Sequence, residues 1–299
     1  MTLTLDWLGV STYRLKIDDL VIFLDAYLDR VPDAPPVGLR AAQVDRADYV
    51  FIGHSHFDHL WGAETIARNT GAAVVGSYET VRIMHNEEVP ESQLIAVAGG
   101  ERIRLSDRVT VRVFPSQHSC IWAKAGAPDE VCLGDLGLTL QERHANQEAR
   151  SFRRRPADTP GAAQMQAHLR ESDQQARGDG GALAYLIETP EGSVLWKDTS
   201  GHWTGTMRDL RPDVALLAAA GRGNIDGEPI QGALAQFVAR EVDLLRPRRV
   251  TLCHHDNWMP PLTRETDIEP IRVELARHFP HVELLEMGYL EDYPILRRD

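Results

Sequence analysis

The sequence predicts an α/β fold in which two sheets face each other and helices cover their outer sides. Three observations predict it. Strand-length apolar runs dominate the first quarter and return after residue 180. Each half passes from such runs to helical patterns. The buried-looking strand Tyr49-Val50-Phe51-Ile52 is apolar throughout, as a central strand covered on both faces should be.

The elements follow in order. Leu3 to Leu8, Tyr13 to Ile17 and Leu20 to Leu24 read as strands, with Asp18-Asp19 as the turn between the last two. A Pro-rich loop spans Asp33 to Gly38, and the strand within Asp48 to Gly53 follows. A helix is expected from about Leu60 to Asn69, stopped by Gly71, then a short strand at Val74-Val75 and a helix from Glu79 to Glu87. Arg102 to Leu105 and Val109 to Phe114 pair as a hairpin around Ser106-Asp107. Residues 119 to about 180 break the pattern with two polar helical stretches, Thr139 to Arg154 and Ala162 to Arg177, separated by prolines and closed by Gly178-Asp179-Gly180-Gly181. With so few large apolar residues they cannot form a core alone, so they read as a helical insertion, a lid or an interface, within a single 1–299 domain. Strands resume at Leu183 to Ile187 and Val194 to Lys197, then at Val214 to Ala218 and Arg249 to Cys253. Leu234, Val238, Val242 and Leu245 mark one face of a helix. A helix from Glu265 to His278 and a strand from Val282 to Leu285 complete the pattern.

Composition narrows the function. The 299 residues are 43% hydrophobic and 25% charged, as in ordinary soluble domains. A net charge of -12 argues against a broad nucleic-acid surface, yet a metal site can still set its own local field. No stretch has the length of a membrane span, and Met1 to Val10 lacks the pattern of a secretory leader. Three cysteines, Cys120, Cys132 and Cys253, are too few for a disulfide framework, so a reducing cytoplasm is the expected compartment.

Chemistry concentrates in Gly53-His54-Ser55-His56-Phe57-Asp58-His59, directly after the buried strand. Loops at strand ends are where α/β folds place ligands. Two histidines one residue apart in an extended turn can face one metal, while Asp58 and His59 can turn to a second. Imidazole and carboxylate suit zinc, and also manganese or iron.

This His-x-His-x-Asp-His run, after a hydrophobic strand in the first quarter of the chain, resembles the metallo-β-lactamase superfamily. The resemblance implies a four-layer αββα sandwich and further ligands in a fixed order. His118, in Pro115-Ser116-Gln117-His118, matches the family's next histidine. Asp198 matches its strand-end aspartate, although Lys197 stands where the family usually has glycine. Of His254 and His255, His254 directly follows a strand as the family residue does. The resemblance then implies that His54, His56 and His118 hold one metal, that Asp58, His59 and His254 hold a second, and that Asp198 bridges them. Two zinc ions per chain, or manganese or iron, would share a hydroxide, with Asp58 and Asp198 as the catalytic carboxylates. Within the superfamily the run, together with His254-His255-Asp256-Asn257-Trp258, looks closest to the sugar-lactone hydrolases.

Other residues carry weaker signals. Asp25 resembles a structural aspartate of the superfamily and reads either as a hydrogen-bond partner of a ligand loop or as a plain turn residue. His202 reads as a proton shuttle or substrate contact, or else as a support of the site or a surface group; His255 and Asp256 read as supports of the site that could take part in proton transfer, and Trp258 as pocket lining or core. His144 and His168 lie on polar helices and are expected to be exposed, and Arg150, Arg153, Arg154 and Arg155 to be a solvated helix end. Trp122, Phe152 and Met165 are candidate lid contacts. The function expected is hydrolysis of a lactone, ester or amide in a small molecule, with no nucleic-acid or membrane partner and with self-association open. The rivals are a phosphodiesterase, an iron-dependent oxidoreductase, and a metal-binding protein without catalysis.

Overall fold

The computed structural model describes residues 3–123, 134–149 and 160–296. Its strands in the first half are β1 (Leu3–Trp7), β2 (Tyr13–Ile17), β3 (Leu20–Leu24), β4 (Tyr49–Phe51), β5 (Ala73–Gly76), β6 (Leu94–Ala96), β7 (Arg102–Arg104) and β8 (Thr110–Pro115). The second half adds β9 (Leu183–Thr189), β10 (Gly192–Lys197), β11 (Gly201–His202), β12 (Val214–Ala218), β13 (Asn224–Ile225), β14 (Glu228–Pro229), β15 (Arg249–Cys253), β16 (Glu283–Leu285) and β17 (Tyr293–Pro294). Helices are α1 (Phe57–Leu60), α2 (Ala63–Thr70), α3 (Tyr78–Asn86), α4 (Leu140–Ala149), α5 (Pro160–Ser172), α6 (Thr204–Met207), α7 (Leu234–Leu245) and α8 (Glu269–His278).

Two seven-stranded sheets form, in the orders β17-β1-β2-β3-β4-β5-β6 and β16-β15-β12-β10-β9-β8-β7. Alternation drives their packing: in β2, Tyr13, Leu15 and Ile17 are buried while Arg14 and Lys16 are partly exposed. Between the sheets lies one apolar core that includes Leu15, Phe51, Tyr185, Trp196 and Leu216. On the outer side of the first sheet, Val50, Ile52 and Val74 pack with Ile66, Ile83 and Met84 of α2 and α3. On the outer side of the second, Leu195, Leu217 and Leu252 pack with Phe237, Val238, Val242, Ile271 and Leu275 of α7 and α8. The result is the expected αββα sandwich. Each fully buried large apolar side chain stabilises it by roughly 1.5–3 kcal/mol before entropy is counted.

The sheet directions gather the site. β3 and β4 run parallel, as do β10, β12 and β15. β8 and β10 both run antiparallel to β9, and so point the same way as each other. Asp25, the His54 loop, His118, Asp198 and His254 therefore all follow the carboxyl ends of strands, where parallel sheets open a crevice.

Several elements differ from expectation. The helix expected over 60–69 is two pieces, because Trp61 leaves the helical region with ψ 126°. α8 starts at Glu269 and not at Glu265: Pro270 lacks the N–H an interior position needs, and the Asp267 carboxylate caps the Glu269 N–H. α5 ends at Ser172, five residues short of Arg177, before Gln175 adopts a left-handed φ of 59°. The end of the Thr139–Arg154 helix, with Arg150, Phe152, Arg153, Arg154 and Arg155, lies outside the described residues, as does Cys132. Strands β6, β11, β13, β14 and β17 are only two or three residues long and carry no periodic signature. Among the described residues no helix is long and apolar enough to cross a membrane.

Although α5 cannot build a core alone, it completes one. Met165 and Leu169 pack against Tyr27, Val31, Trp258 and Met259. His168 was expected to be exposed and is instead buried, with its Nε2 2.7 Å from the Tyr27 hydroxyl and its ring 5.1 Å from that of Trp61. The apolar residues it meets come from distant segments, which is why the polar helix alone gave no hint of burial.

Candidate metal centre

Gly53 opens the site because nothing larger fits: a Cβ there would lie 2.1 Å from Asp198 Oδ2. The loop then turns into α1, so His54 and His56 precede the helix and Asp58 and His59 sit in its only turn. His118 follows β8, Asp198 ends β10, and His254 follows β15 with a left-handed φ of 63°. The His254 N–H donates to the Val10 carbonyl at 2.6 Å, which holds that unusual backbone.

All seven sequence-predicted ligands converge. Donor atoms of His54, His56 and His118 lie within 4.8 Å of one another, as do those of Asp58, His59 and His254, and those of His54, His59 and Asp198. In the first triad, His54 Nε2 is 3.1 Å from His56 Nδ1. In the second, Asp58 Oδ2 is 3.5 Å from His59 Nε2 and 3.4 Å from His254 Nε2.

Four of the five imidazoles have one nitrogen engaged from behind. His54 Nδ1 is 2.5 Å from Asp198 Oδ2, and His59 Nδ1 is 2.6 Å from Asp25 Oδ2. His56 Nε2 is 3.1 Å from the Gly178 carbonyl, and His118 Nδ1 is 3.0 Å from the Ser119 carbonyl. An acceptor on one side assigns the N–H to that side and leaves a lone pair on the other. Two such lone pairs 3.1 Å apart, as in the first triad, repel unless a cation lies between them. His254 lacks this support: its Nδ1 is buried without a partner.

Electrostatics agrees with a cation site. Burial, followed by the neighbouring imidazoles, holds His54 well below the usual histidine range, and burial together with His56 lowers His118 to about 3. His54 and His118 are therefore neutral, as ligands must be, whereas the Asp58 carboxylate outweighs burial at His254 and raises it. Burial alone would raise Asp58, but His59 and His254 outweigh it and keep the carboxyl ionised. Burial and the nearby Asp25 push Asp198 up to about 8. Asp25, Asp58 and Asp198 are all buried, and none forms an ion pair with Lys or Arg among the described residues. Asp198 Oδ1 is buried with no hydrogen-bond partner. The clustered imidazoles, three buried carboxyl groups without a Lys or Arg partner and this orphaned oxygen together fit divalent metal.

Other candidates resolve clearly. Asp25 supports the ligand loop: Oδ1 accepts the Gly53 N–H at 3.0 Å while Oδ2 meets His59 and the Ser11 hydroxyl. Asp256 accepts from Arg30, Tyr289 and the Val10 N–H, tying the segment after His254 to the β1–β2 turn. His255 stacks on Trp7 at 4.8 Å, and Trp258 is core that also packs edge-on against His254 at 5.4 Å. His202 is buried with Nδ1 3.0 Å from Glu241, so it is no surface group. Lys197, in the position of the superfamily's usual glycine, is buried and pairs with the same Glu241. Trp122 lies under the Arg143 guanidinium at 4.2 Å, and His144 is exposed on α4. Sequence reasoning missed Ser11, Gly178 and Gly180. Two of these act through backbone carbonyls, which any residue type possesses.

Residues 21–146 match the Beta-lactamase superfamily domain. A UPF0173 metal-dependent hydrolase of Pyrobaculum calidifontis is 32% identical over 276 residues, covering 90% of each chain. Another, of Pyrobaculum arsenaticum, is 29% identical over 277 residues with the same coverage. Among solved structures, the metallo hydrolase Igni18 of Ignicoccus hospitalis superposes with a TM-score of 0.61 at 16% identity, covering 97% of this chain and 96% of that one. CmlA, a diiron β-hydroxylase of Streptomyces venezuelae, gives 0.54 at 14% identity, covering 96% of this chain and 53% of that one. At such identities the likeness to solved structures shows the fold alone.

Proposed function

The chain belongs to the UPF0173 metal-dependent hydrolase family, within the metallo-β-lactamase superfamily, and from that premise we propose a dinuclear enzyme that cleaves a lactone, ester or amide bond in a small molecule. The carrying observation is the pair of ligand triads, in which four of the five imidazoles are held from behind and present their other nitrogen inward. His54, His56 and His118 would hold one metal and Asp58, His59 and His254 the other, with Asp198 between them. Zinc is the metal we propose, and the donor set also suits manganese or iron. Divalent metal here supplies the charge that lets water act as a nucleophile at neutral pH and that stabilises a developing oxyanion.

The chain's own groups have separate tasks. His54 and His118, kept neutral by burial, would bind without competing for a water proton. Asp58 and Asp198 are the carboxylates we assign to receive that proton. We assign His202 a supporting role, because Glu241 holds its Nδ1 at 3.0 Å. The insertion borders the mouth: Gln147 of α4 reaches the Gly178 carbonyl at 3.0 Å, and α5 packs on Tyr27 and Trp258. That crowding supports a small substrate, and the acidic chain does not favour nucleic acid.

The test is a panel of chromogenic lactones, esters, amides and one phosphodiester, run on protein stripped by chelator and then reloaded with zinc. Turnover of a carbonyl substrate, lost on stripping and restored by zinc, is expected. Turnover of the phosphodiester alone would replace acyl with phosphoryl chemistry. A metal-loaded protein that cleaves nothing would refute the proposal.

A further inference from the structure

The glycine-rich turn that closes the insertion does more than end it. Three hydrogen bonds fasten the ligand loop to this segment. The Gly178 carbonyl meets His56 Nε2 at 3.1 Å, the Gly180 carbonyl accepts the Ser55 N–H at 3.0 Å, and the Leu183 N–H donates to the Gly53 carbonyl at 2.8 Å. The turn is itself anchored. The Arg177 N–H donates to Glu79 of α3 at 2.8 Å, and the Ser77 hydroxyl donates to the Gly180 carbonyl at 3.2 Å. Gly180 has a φ of +74°, and a Cβ there would lie 2.6 Å from Ser55 N and 3.2 Å from both His54 Cδ2 and His56 N. The backbone thus approaches the ligand loop more closely than any side chain allows.

We infer that this turn is a positioning element for the first triad: the Gly178 carbonyl fixes the His56 tautomer that leaves Nδ1 facing His54, and Gly180 sets the path of the loop beneath both rings. The inference rests on the metal-site reading above. It extends to α4, because Gln147 Nε2 donates to the same Gly178 carbonyl at 3.0 Å and so shares the acceptor that orients His56. A helix of the insertion is thereby linked to a metal ligand through one oxygen. Partners that orient a ligating histidine typically govern affinity by roughly 10–100-fold.

The test is cobalt(II) titration of metal-free full-length protein, read by its visible absorption, with circular dichroism to confirm folding. His56→Ala identifies the signal of the first triad. Gly180→Ala is expected to weaken that position by roughly 10–100-fold and to leave the second triad unchanged. Gln147→Ala, an exterior change, is expected to weaken the same position by roughly 2–10-fold, the effect of one hydrogen bond. A folded Gly180→Ala protein with wild-type affinity at both positions, or with equal losses at both, would overturn the inference. Should Gly180→Ala fail to fold, unchanged affinity in Gln147→Ala would overturn it alone. Wild-type protein that takes up no cobalt would instead defeat the metal reading on which it stands.

Discussion

His59 has Asp58 on its Nε2 side and Asp25 with Ser11 on its Nδ1 side, so one ring joins the second triad to a buried carboxylate. Asp25 in turn holds the Gly53 N–H, which ties the ring to the start of the ligand loop. Replacing Asp25 with Ala should therefore lower metal affinity at the second triad by roughly 10–100-fold, measured by competition with a chromogenic chelator. Unaltered affinity would return Asp25 to the status of a turn residue. At this scale the sequence was informative where ligands are concentrated. His54, His56, Asp58 and His59 lie within six residues, so one short loop displays them together. Ser11 and the glycine carbonyls were invisible, because their contribution depends on chain paths that meet only after folding.

At the scale of elements, two buried polar groups decide how helices dock. His168 of α5 lies among Tyr27, Phe57 and Trp61, and burial lowers its pKa to about 4. An unfolded histidine titrates near about 6.5, so between these values the unfolded chain takes up a proton that docked α5 refuses. The stabilisation is full above about pH 6.5 and is lost as pH falls towards 4. The protection of α5 amides, corrected for intrinsic exchange at each pH, should fall across that window in the wild type, and the fall should shrink in His168→Phe. An identical pH response in both would contradict the assignment.

Beneath the site, Lys197 and Glu241 are each only 1% exposed and pair across the β10–α7 junction. Removing one partner strands the other charge, so Glu241→Ala should cost about 3–5 kcal/mol in urea unfolding. A loss below about 1 kcal/mol would mean that Lys197 finds another partner. Both His168 and Lys197 escaped a reading by residue type, since burial of a polar group is decided by the neighbours that cover it. The apolar face of α7 was legible for the opposite reason: Leu234, Val238, Val242 and Leu245 repeat at helical spacing.

At the scale of the whole molecule, the sandwich follows from strand patterning, and the site follows from the sandwich. Five chain segments separated by up to 229 residues, from Asp25 to His254, end their strands at one edge and deliver their side chains to one crevice. Strand-length apolar runs made the sheets legible, including the edge strands β7 and β16, whereas the edges β6 and β17, of two or three residues, left no pattern to read. The insertion was recognisable by its break in composition, but its contact with the ligand loop through Gly178 and Gly180 required the fold.

Metal content per chain, measured by elemental analysis of gently purified protein, bears most directly on the dinuclear site. Two triads predict about two equivalents of zinc or manganese in the wild type, about one in His56→Ala and about one in His254→Ala, since each variant disables a different position. No bound metal even after reconstitution, or a single equivalent unaffected by either substitution, would contradict it.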